Sequence, residues 1–268
     1  GNLEDITYRT LKVLNEVDLI AAEDTRHSIK LLNHFEISKP LTSYFEHNKD
    51  TKGDYLINKL LDGENIALIS DAGMPGISDP GEDLIKQAIE NNIEIDVLPG
   101  ATAFTVALVG SGLDTHKFVF EGFLDRDKKL RRKRLEEIQE EDRTMIFYES
   151  PHRLIESLAY LEEALGNRNI AVCRELTKLH EDIYRGTIKE AYNWFLENRP
   201  RGEFVLVIAG KSESEIRAEK EQELSGITVE QHLINLINSG IDKKEAIKLV
   251  AKERELPKKE VYKIAIDI

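Results

Sequence analysis

The residues best placed to do chemistry lie in one twelve-residue segment, residues 70–81, which reads SDAGMPGISDPG. Three glycines and two prolines fix an irregular backbone there, and Asp71 and Asp79 accompany it. The segment follows a predicted strand and precedes a predicted helix, which is where open α/β sheets bind ligands. It is neither G-x-G-x-x-G nor a Walker loop, so a dinucleotide or ATP phosphate cradle is not supported. The alternative is an ornate turn capped by Asp79.

Two further strand-to-helix corners occur in the first half of the chain. Residues 98–103 read LPGATA and residues 22–26 read AEDTR. Pro-Gly alone is a weak signal because it is a common turn. Asp24 and Arg26 are predicted at the carboxyl end of an early strand, although a capping Asp followed by a surface Arg explains them equally well.

Two more corners are predicted in the second half. Residues 147–153 read FYESPHR, and residues 174–178 read RELTK. Each displays charged side chains at the end of a predicted strand, and each taken singly is equally consistent with a surface salt-bridge network. Together they place Arg and Lys where a polyanionic substrate could bind, and Glu where it could accept a proton.

The densest positive charge lies in residues 128–134, KKLRRKR, with six cations in seven residues. Such a run binds phosphates at the mouth of a domain, or it is the solvated face of a helix balanced by the glutamates that follow. We favour phosphate binding. The predicted phosphate contacts are therefore Lys128, Lys129, Arg131, Arg132, Lys133 and Arg134, with Arg26 and Arg153 in addition.

Metal and thiol chemistry receive little support. The seven histidines are scattered without an H-x-x-x-H pair, and no EF-hand spacing occurs, so we predict no metal site, with Mg²⁺ between Asp71 and Asp79 as the alternative. Cys173 is the only cysteine, which excludes an internal disulfide and a thiolate zinc cage. No signal peptide is visible, and the most apolar stretch, residues 101–113, is too short to span a membrane. We therefore expect a cytoplasmic protein without membrane attachment.

Charge is distributed unevenly along the 268 residues. The net charge is −13, with 41% hydrophobic and 32% charged residues, which excludes disorder throughout. Residues 1–120 carry 10 basic and 20 acidic side chains, whereas residues 121–210 carry 16 and 18. The acidic excess thus lies almost wholly in the first part, and a globally acidic chain can still bind nucleic acid locally.

Short apolar runs alternate with segments of helical periodicity, which predicts an α/β fold with parallel layering. Strands are predicted at residues 19–22, 66–70, 95–98, 118–123, 145–148, 170–174 and 204–209. Helices are predicted at residues 6–16, 27–34, 54–62, 81–91, 101–109, 128–140 and 151–165.

The pattern predicts two α/β domains and a helical extension. The first covers residues 1–113 and ends where Gly110 and Gly112 stop a helix. The second covers residues 117–210, and residues 225–268 form the extension. Its last part, residues 241–268, has the spacing of a helix-turn-helix, with a plain helical hairpin as the alternative. The predicted core of this part is Ala246, Leu249, Val250, Val261, Tyr262 and Ile264.

Taken in order, the segments GNLEDIT, AEDTR, SDAGMPGISDPG, LPGATA, EGFL, FYESPHR, RELTK and RGEFVLVIAG closely resemble the bacterial ribosomal RNA small subunit methyltransferase I family of the tetrapyrrole methylase superfamily. The resemblance spans residues 1–210, and residues 225–268 resemble the family's helix-turn-helix extension. Two departures are visible. The family normally carries a strand and Thr-Pro-Ile before Gly1, which are absent here, and Asp125 stands where the family usually has Pro.

The resemblance implies S-adenosylmethionine-dependent 2′-O-methylation of a decoding-centre cytidine in 16S ribosomal RNA, with the 30S subunit as partner. It also implies two α/β domains around a cofactor cleft and a homodimer. The cofactor residues that it implies are Asp71, Ala72, Gly73, Ser78, Asp79, Pro99, Gly100, Thr102 and Tyr148.

Methyl transfer needs a base or cation near the ribose hydroxyl, because that hydroxyl is a weak acid. The candidates are Lys178, if Arg174 lowers its pKa, and Asp24 as the alternative carboxylate. Two rival functions stay open. One is methylation of a tetrapyrrole or another small acceptor, and the other is a non-catalytic ribosome-binding module.

Overall fold

The computed structural model describes residues 2–71, 73–212, 214–217 and 224–266. The chain divides into two compact units, Gly1–Gly210 and Lys211–Ile268. The first unit contains a three-stranded and a five-stranded sheet, each with helices packed on it. The predicted α/β class is therefore confirmed.

The three-stranded sheet is parallel, with the order β2-β1-β3. After a short 3-10 turn at Leu3–Asp5, the elements of this half are α1 (Tyr8–Glu16), β1 (Leu19–Ala22), α2 (Thr25–His34), β2 (Leu41–Ser43), α3 (Lys49–Leu61), β3 (Ile66–Ile69), α4 (Gly81–Glu90) and α5 (Ala103–Ser111). The central strand β1 is wholly buried, as expected of a strand covered on both faces. Its carboxyl end and that of β3 point to the same edge, where the corners at residues 22–26 and 70–81 lie.

The five-stranded sheet is mixed, with the order β4-β5-β8-β6-β7. Its elements are β4 (Phe118–Phe123), α6 (Lys128–Glu137), β5 (Thr144–Glu149), α7 (Leu154–Leu165), β6 (Asn169–Arg174), β7 (Asp182–Thr187), α8 (Ile188–Glu197) and β8 (Phe204–Ile208). Only β4 and β5 are parallel, because β8 inserts antiparallel between β5 and β6. The expectation of parallel layering is thus wrong for this half.

Both faces of the five-stranded sheet are covered. Leu154, Leu158 and Leu161 of α7 pack on one face, and α5 packs on the other through Ala107 and Leu108. Helix α5 is apolar around its whole circumference, so it fits between surfaces better than at an aqueous face. It follows the first sheet in the chain but packs against the second, and so links the two halves of this unit.

One predicted strand does not form. Residues 94–100 have no regular secondary structure, and Ile95 and Val97 are 37% and 59% exposed. A strand needs a neighbour for its backbone groups, and no described segment pairs with this one. The Val97 carbonyl instead accepts a hydrogen bond from the Arg9 guanidinium at 3.1 Å.

Two strands and one helix were not predicted. Strand β2 has only three residues, and β7 is an edge strand with charged residues. Helix α8 begins at a capping box formed by Thr187 and Glu190. Short and edge strands carry weak hydrophobic patterns because little of their surface is buried.

The described residues of the second unit include three helices around a small core: α9 (Val229–Asn238), α10 (Lys243–Glu253) and α11 (Lys258–Ala265). Ala246, Val250 and Val261 are buried as predicted. Tyr262 is 59% exposed, so its predicted place in the core is wrong, and Leu249 is only half-buried. Successive residues of a helix point in different directions, and Val261 occupies the inward position beside Tyr262.

Candidate active site

The corner after β3 is held together by one carboxylate. Asp79 accepts hydrogen bonds from the backbone amides of Gly76 (2.9 Å), Ile77 (3.3 Å) and Gly81 (2.7 Å). Ser78 has a left-handed backbone, with φ of 60°, and is exposed. With its oxygens used in this way, Asp79 serves to shape the loop and is not free to bind Mg²⁺ with Asp71.

The corners at residues 70–81 and 98–103 join directly. Gly73 forms an antiparallel bridge with Thr102, and the Met74 amide donates to the Ala101 carbonyl at 3.1 Å. Gly73 has φ of +105°, and a Cβ there would lie 2.5 Å from the Ala101 oxygen. Only glycine allows this approach, since both the backbone angle and the space exclude a side chain.

Of the cofactor residues that the resemblance implies, Pro99, Gly100 and Thr102 lie in the corner at residues 98–103. Pro99 and Gly100 are exposed, and a Cβ on Gly100 would contact nothing within 4 Å. The Thr102 hydroxyl is hydrogen-bonded to that of Thr105. Ala72 lies outside the described residues.

The corner after β1 brings Asp24, His27 and Asp71 together. Asp24 caps α2, accepting from the Arg26 amide at 2.8 Å and from its guanidinium at 2.7 Å. These hydrogen bonds from Arg26 lower the pKa of Asp24 far below its usual value. His27 Nδ1 lies 3.3 Å from an Asp71 carboxylate oxygen. In the part of the chain that the structure describes, this trio alone has metal-ligating spacing, within 4.8 Å, but Asp24 already binds Arg26.

Glu23 stands out from the other carboxylates of this corner. Burial raises its pKa, and the nearby charges of Asp71, Asp79 and Asp24 add to the effect, although a hydrogen bond from the Asp71 backbone opposes it. The sequence motif AEDTR contains this residue, but nothing in its local sequence distinguishes it from Asp24. Its environment is created by residues about fifty positions further along the chain.

An open cavity of about 540 Å³ adjoins the corner. Its size is within the range of small-molecule sites, roughly 300–1,000 Å³. Five carboxylates and one lysine dominate its wall, which suits a cationic ligand and disfavours phosphate. The lining residues are Glu23, Glu46, Lys49, Ser78, Asp79, Pro80, Glu82 and Asp83. Of the implied cofactor residues, Ser78 and Asp79 line this cavity, whereas Asp71, Thr102 and Tyr148 do not.

An aromatic cluster from the second half approaches the same loops. Tyr148 at the end of β5 packs edge-on against Phe120 and Phe123, with ring centroids 5.0 and 5.6 Å apart, and Phe104 of α5 lies 5.0 Å from Phe120. Burial raises the pKa of the Tyr148 hydroxyl. A Cβ on Gly122 would lie 3.6 Å from the Ser78 hydroxyl, so strand β4 passes close to the glycine-rich loop.

Comparison with known proteins decides the family. Residues 1–192 match the family described as Tetrapyrrole (Corrin/Porphyrin) Methylases. The chain belongs to the tetrapyrrole methylases. The structure agrees, because the chain is similar in fold to the methyltransferase CobJ and to diphthine synthase, each with a TM-score of 0.60 over 78% of this chain. Their coverage is 90% and 86%, and their sequence identities are 20% and 11%, so these two likenesses concern the fold alone.

Within the methylases, close relatives share one name, Ribosomal RNA small subunit methyltransferase I. The protein of Halalkalibacterium halodurans is 49% identical over 98% of this chain and 91% of its own length. That of Bacillus subtilis is 48% identical over 98% and 89%. That of Thermotoga maritima is 46% identical over 79% of this chain and 95% of its own length, so about a fifth of this chain has no counterpart there.

In this methylase, Lys178 is a fixed cation. Its ammonium lies 3.0 Å from Glu175 and 2.7 Å from Glu203. Burial acts to lower the pKa of Lys178, but the hydrogen bonds to these two glutamates prevail and raise it. The predicted lowering by Arg174 is therefore wrong. Arg174 donates to the His180 carbonyl at 3.1 Å instead.

The side chain of Arg153 is bound to other residues of the same chain. Arg153 donates to the Leu124 carbonyl at 2.6 Å and lies 3.9 Å from the buried carboxylate of Glu149. Glu149 also accepts from the Ser150 amide and the Ser157 hydroxyl. These contacts fix the turn that begins two residues after Tyr148, between β5 and α7. Arg26 differs, since its side chain is 87% exposed beside Asp24.

The six cations of α6 fall into two groups. Arg131 is 7% exposed, with its guanidinium 4.2 Å from the centre of the Tyr160 ring, and Arg134 is held by Glu121 at 2.6 Å. The other four, Lys128, Lys129, Arg132 and Lys133, are exposed. Among these, Arg132 and Lys133 pair with glutamates one turn further along the helix. The run therefore contributes both to the core and to a smaller cationic surface than the sequence indicates.

No helix among the described residues has the length and apolar character to cross a membrane.

Proposed function

We propose that this methylase transfers a methyl group from S-adenosylmethionine to a ribose 2′-hydroxyl of a decoding-centre cytidine in 16S ribosomal RNA. The similarity to proteins named Ribosomal RNA small subunit methyltransferase I, at 49% and 48% identity over 98% of the chain, carries this proposal. The joint between residues 70–81 and 98–103 is consistent with it, because Gly73 lets the two loops approach closely and the first loop also supplies Ser78 and Asp79 to the wall of an acidic cavity.

The residues present fit the methyl donor. Carboxylates at the corner and along the cavity suit its positive charge, and the aromatic cluster around Tyr148 offers an apolar wall for a ring. S-adenosylmethionine supplies a methyl group bonded to a cationic sulfur, which an acceptor oxygen attacks in line. We propose that it is held by Asp71, Ala72, Gly73, Ser78, Asp79, Pro99, Gly100, Thr102 and Tyr148.

The chain's own contribution is positioning and proton removal. Asp24 is a weak base because Arg26 lowers its pKa, and Lys178 stays protonated because two glutamates hold it. Of the carboxylates at the corner, Glu23 has the raised pKa that suits a proton acceptor. We therefore propose Glu23 as the base, with Lys178 and Arg174 as cations beside the RNA.

Two further parts of the proposal concern partners. RNA would approach through Lys128, Lys129, Arg132 and Lys133, since the acidic cavity repels phosphate. A homodimer would cover Val109 and Phe118, which are 74% and 41% exposed on the apolar helix α5 and the edge strand β4. A cytoplasmic location accords with a ribosomal substrate.

The test is methyl transfer to 30S subunits from a strain lacking the gene, with labelled S-adenosylmethionine and mass spectrometry of the digested 16S RNA. The expected product is one 2′-O-methylcytidine. Asp71→Ala should abolish transfer and donor binding in a calorimeter, whereas Asp54→Ala, a change at an exposed carboxylate of α3, should alter neither. A methylated tetrapyrrole with unmodified RNA would instead support the first rival, and RNA binding without donor binding the second.

A further inference from the structure

A second cavity lies at the carboxyl end of β6, and none of its lining residues belongs to the glycine-rich corners. It measures about 140 Å³. We call it the arginine–tryptophan pocket. It is formed by the ends of β6, β7 and α8 and by the turn that leads into β8. Its lining residues are Val172, Arg174, Asp182, Tyr184, Trp194, Phe195, Asn198, Arg199, Pro200, Arg201 and Phe204.

One wall of the pocket is an aromatic platform. The rings of Trp194 and Tyr184 are stacked, with centroids 5.9 Å apart and an interplanar angle of 27°. Tyr184 covers part of the indole, and Trp194 still remains 49% exposed. A large aromatic side chain held rigidly and left open to solvent is what single-stranded nucleic-acid sites use to stack a base.

The other wall is cationic. Arg199 and Arg201 are exposed, and no ion pair to either occurs among the described residues. The Nε of Arg174 is buried and has no acceptor in the described part of the chain. Asp182 supplies the single carboxylate in the lining, against three guanidinium groups. Guanidinium groups in such a cluster bind phosphate, because their planar donors match its oxygens.

The size of the pocket limits what it can take. A cavity of roughly 150 Å³ accommodates one benzene-sized ring, and drug-sized ligands need about twice that or more. The pocket therefore suits a single phosphate or ring next to an open platform, and not a whole cofactor.

We propose that the arginine–tryptophan pocket binds one nucleotide of single-stranded RNA, with its base on Trp194 and its phosphate at Arg199 and Arg201. This proposal rests on the proposed function, because it assigns a second RNA contact outside the methyl-transfer site. The ligand is a flipped or unpaired nucleotide of the ribosomal substrate.

The chain provides its own probe, since Trp194 is its only tryptophan. Intrinsic fluorescence can therefore be titrated with a single-stranded hexaribonucleotide, while fluorescence anisotropy of a labelled copy measures binding independently. We expect saturable quenching of Trp194 with the same midpoint as the anisotropy change. Inorganic phosphate at equal ionic strength should not quench.

Substitutions in the aromatic wall and in the cationic wall test the contribution of each wall to RNA binding. Trp194→Ala should weaken hexaribonucleotide binding by ~5-fold or more, whereas Trp194→Phe should restore most of the affinity by keeping a ring for stacking. Arg199→Gln with Arg201→Gln should shift the quenching midpoint to higher RNA concentration and reduce its salt dependence. The matched control is Lys189→Gln, which removes one exposed cation from α8 outside the pocket.

The possible outcomes are distinct. Anisotropy that saturates without any change in Trp194 emission would overturn the pocket and leave the proposed function intact. If no RNA binds and 30S subunits also stay unmethylated, both the pocket and the proposed function are overturned. Quenching by inorganic phosphate, with no further change when the hexaribonucleotide is added, would overturn the assignment to RNA.

Discussion

The acidic corner and the arginine–tryptophan pocket have opposite chemistry in one compact unit. The corner gathers Glu23, Asp24, Asp71 and Asp79 around glycine-rich backbone, while the pocket gathers Arg174, Arg199 and Arg201 around stacked aromatic rings. The lesson is that net charge, here −13, says little about which ligand a surface takes. A cationic methyl donor suits the first region and a polyanionic substrate the second.

A related contrast exists within α6 itself. Arg131 and Lys129 are two residues apart, yet the first is buried against Tyr160 and the second is exposed. Equal charges in a sequence therefore perform unequal tasks, and a substitution at each should reveal which task it has. The predictions that follow test these contrasts in order of decreasing effect.

The largest effect is expected at the joint of the acidic corner. Gly73→Ala should reduce affinity for S-adenosylmethionine by at least ~10-fold, because the added Cβ would lie 2.5 Å from the Ala101 carbonyl oxygen and must separate the two loops. The control is Gly63→Ala, where φ is similar, +93°, but nothing lies within 4 Å. Both changes carry about 1–2 kcal/mol of backbone strain, so only the clash distinguishes them. Equal donor affinity in the two variants, measured by calorimetry, would show that the joint does not form the cofactor floor.

The next effect concerns the exposed cations of α6. Changing Lys128, Lys129 and Lys133 together to Gln should lower the slope of log affinity against log salt by up to ~2–3, since each lost phosphate contact removes about 0.7–0.9. Donor affinity should be unchanged. The control replaces Lys12, Lys30 and Lys86, three exposed lysines of the acidic first part, and should leave the slope as it was.

Arg131→Gln tests the contrast between the buried Arg131 and the exposed lysines of α6. This change should leave the salt slope intact and lower the free energy of unfolding by about 1–2 kcal/mol, because it removes a desolvated cation–π contact with Tyr160. Chemical denaturation and filter binding on the same preparation measure both quantities. A reduced slope at unchanged stability would mean that Arg131 leaves its buried position to contact RNA.

Parts of this arrangement follow from local sequence, and those parts were predictable. Strand β4 was predicted with its observed bounds because its apolar run is bounded by turn residues. The segment at residues 95–98 has an equally apolar sequence but no neighbouring strand, so its pattern predicts a strand that does not form. A hydrophobic pattern indicates which residues tend to be buried. A strand also needs a neighbouring strand that pairs with its backbone groups.

The site shows the same limit at the level of single residues. The motif around Asp71 and Gly73 predicted the irregular corner after β3, since irregular backbone is encoded locally. The protonation of Lys178 depends on Glu203, twenty-five residues later, and the raised pKa of Glu23 depends on Asp71 and Asp79. Such effects arise from the tertiary fold and have no local signature.

A smaller effect is expected from the second unit. Changing Lys258, Lys259 and Lys263 of α11 to Gln should reduce the RNA salt slope by ~1 or less, because these cations are interspersed with acidic residues. A slope change larger than that of the α6 lysines would reverse the ranking and make the helical extension the main RNA surface.

The smallest effect concerns the stability of the acidic corner as a function of pH. The pKa of Glu23 is raised in the folded protein, chiefly by burial and then by Asp71, Asp79 and Asp24, so the folded state binds the Glu23 proton more tightly than the unfolded state does. That proton favours folding at pH values below the unfolded pKa, and the advantage disappears as pH rises through the folded pKa. Glu23→Gln should therefore raise the free energy of unfolding at pH 7 and lose this benefit near pH 4, while it removes the proposed base and slows methyl transfer. Thermal unfolding across this pH range provides the measurement, with Glu4→Gln, a change at an exposed carboxylate, as the control. A Glu23→Gln protein that is less stable than the parent at pH 7 would show that the carboxylate is stabilised where it lies, and it would then be a poor proton acceptor.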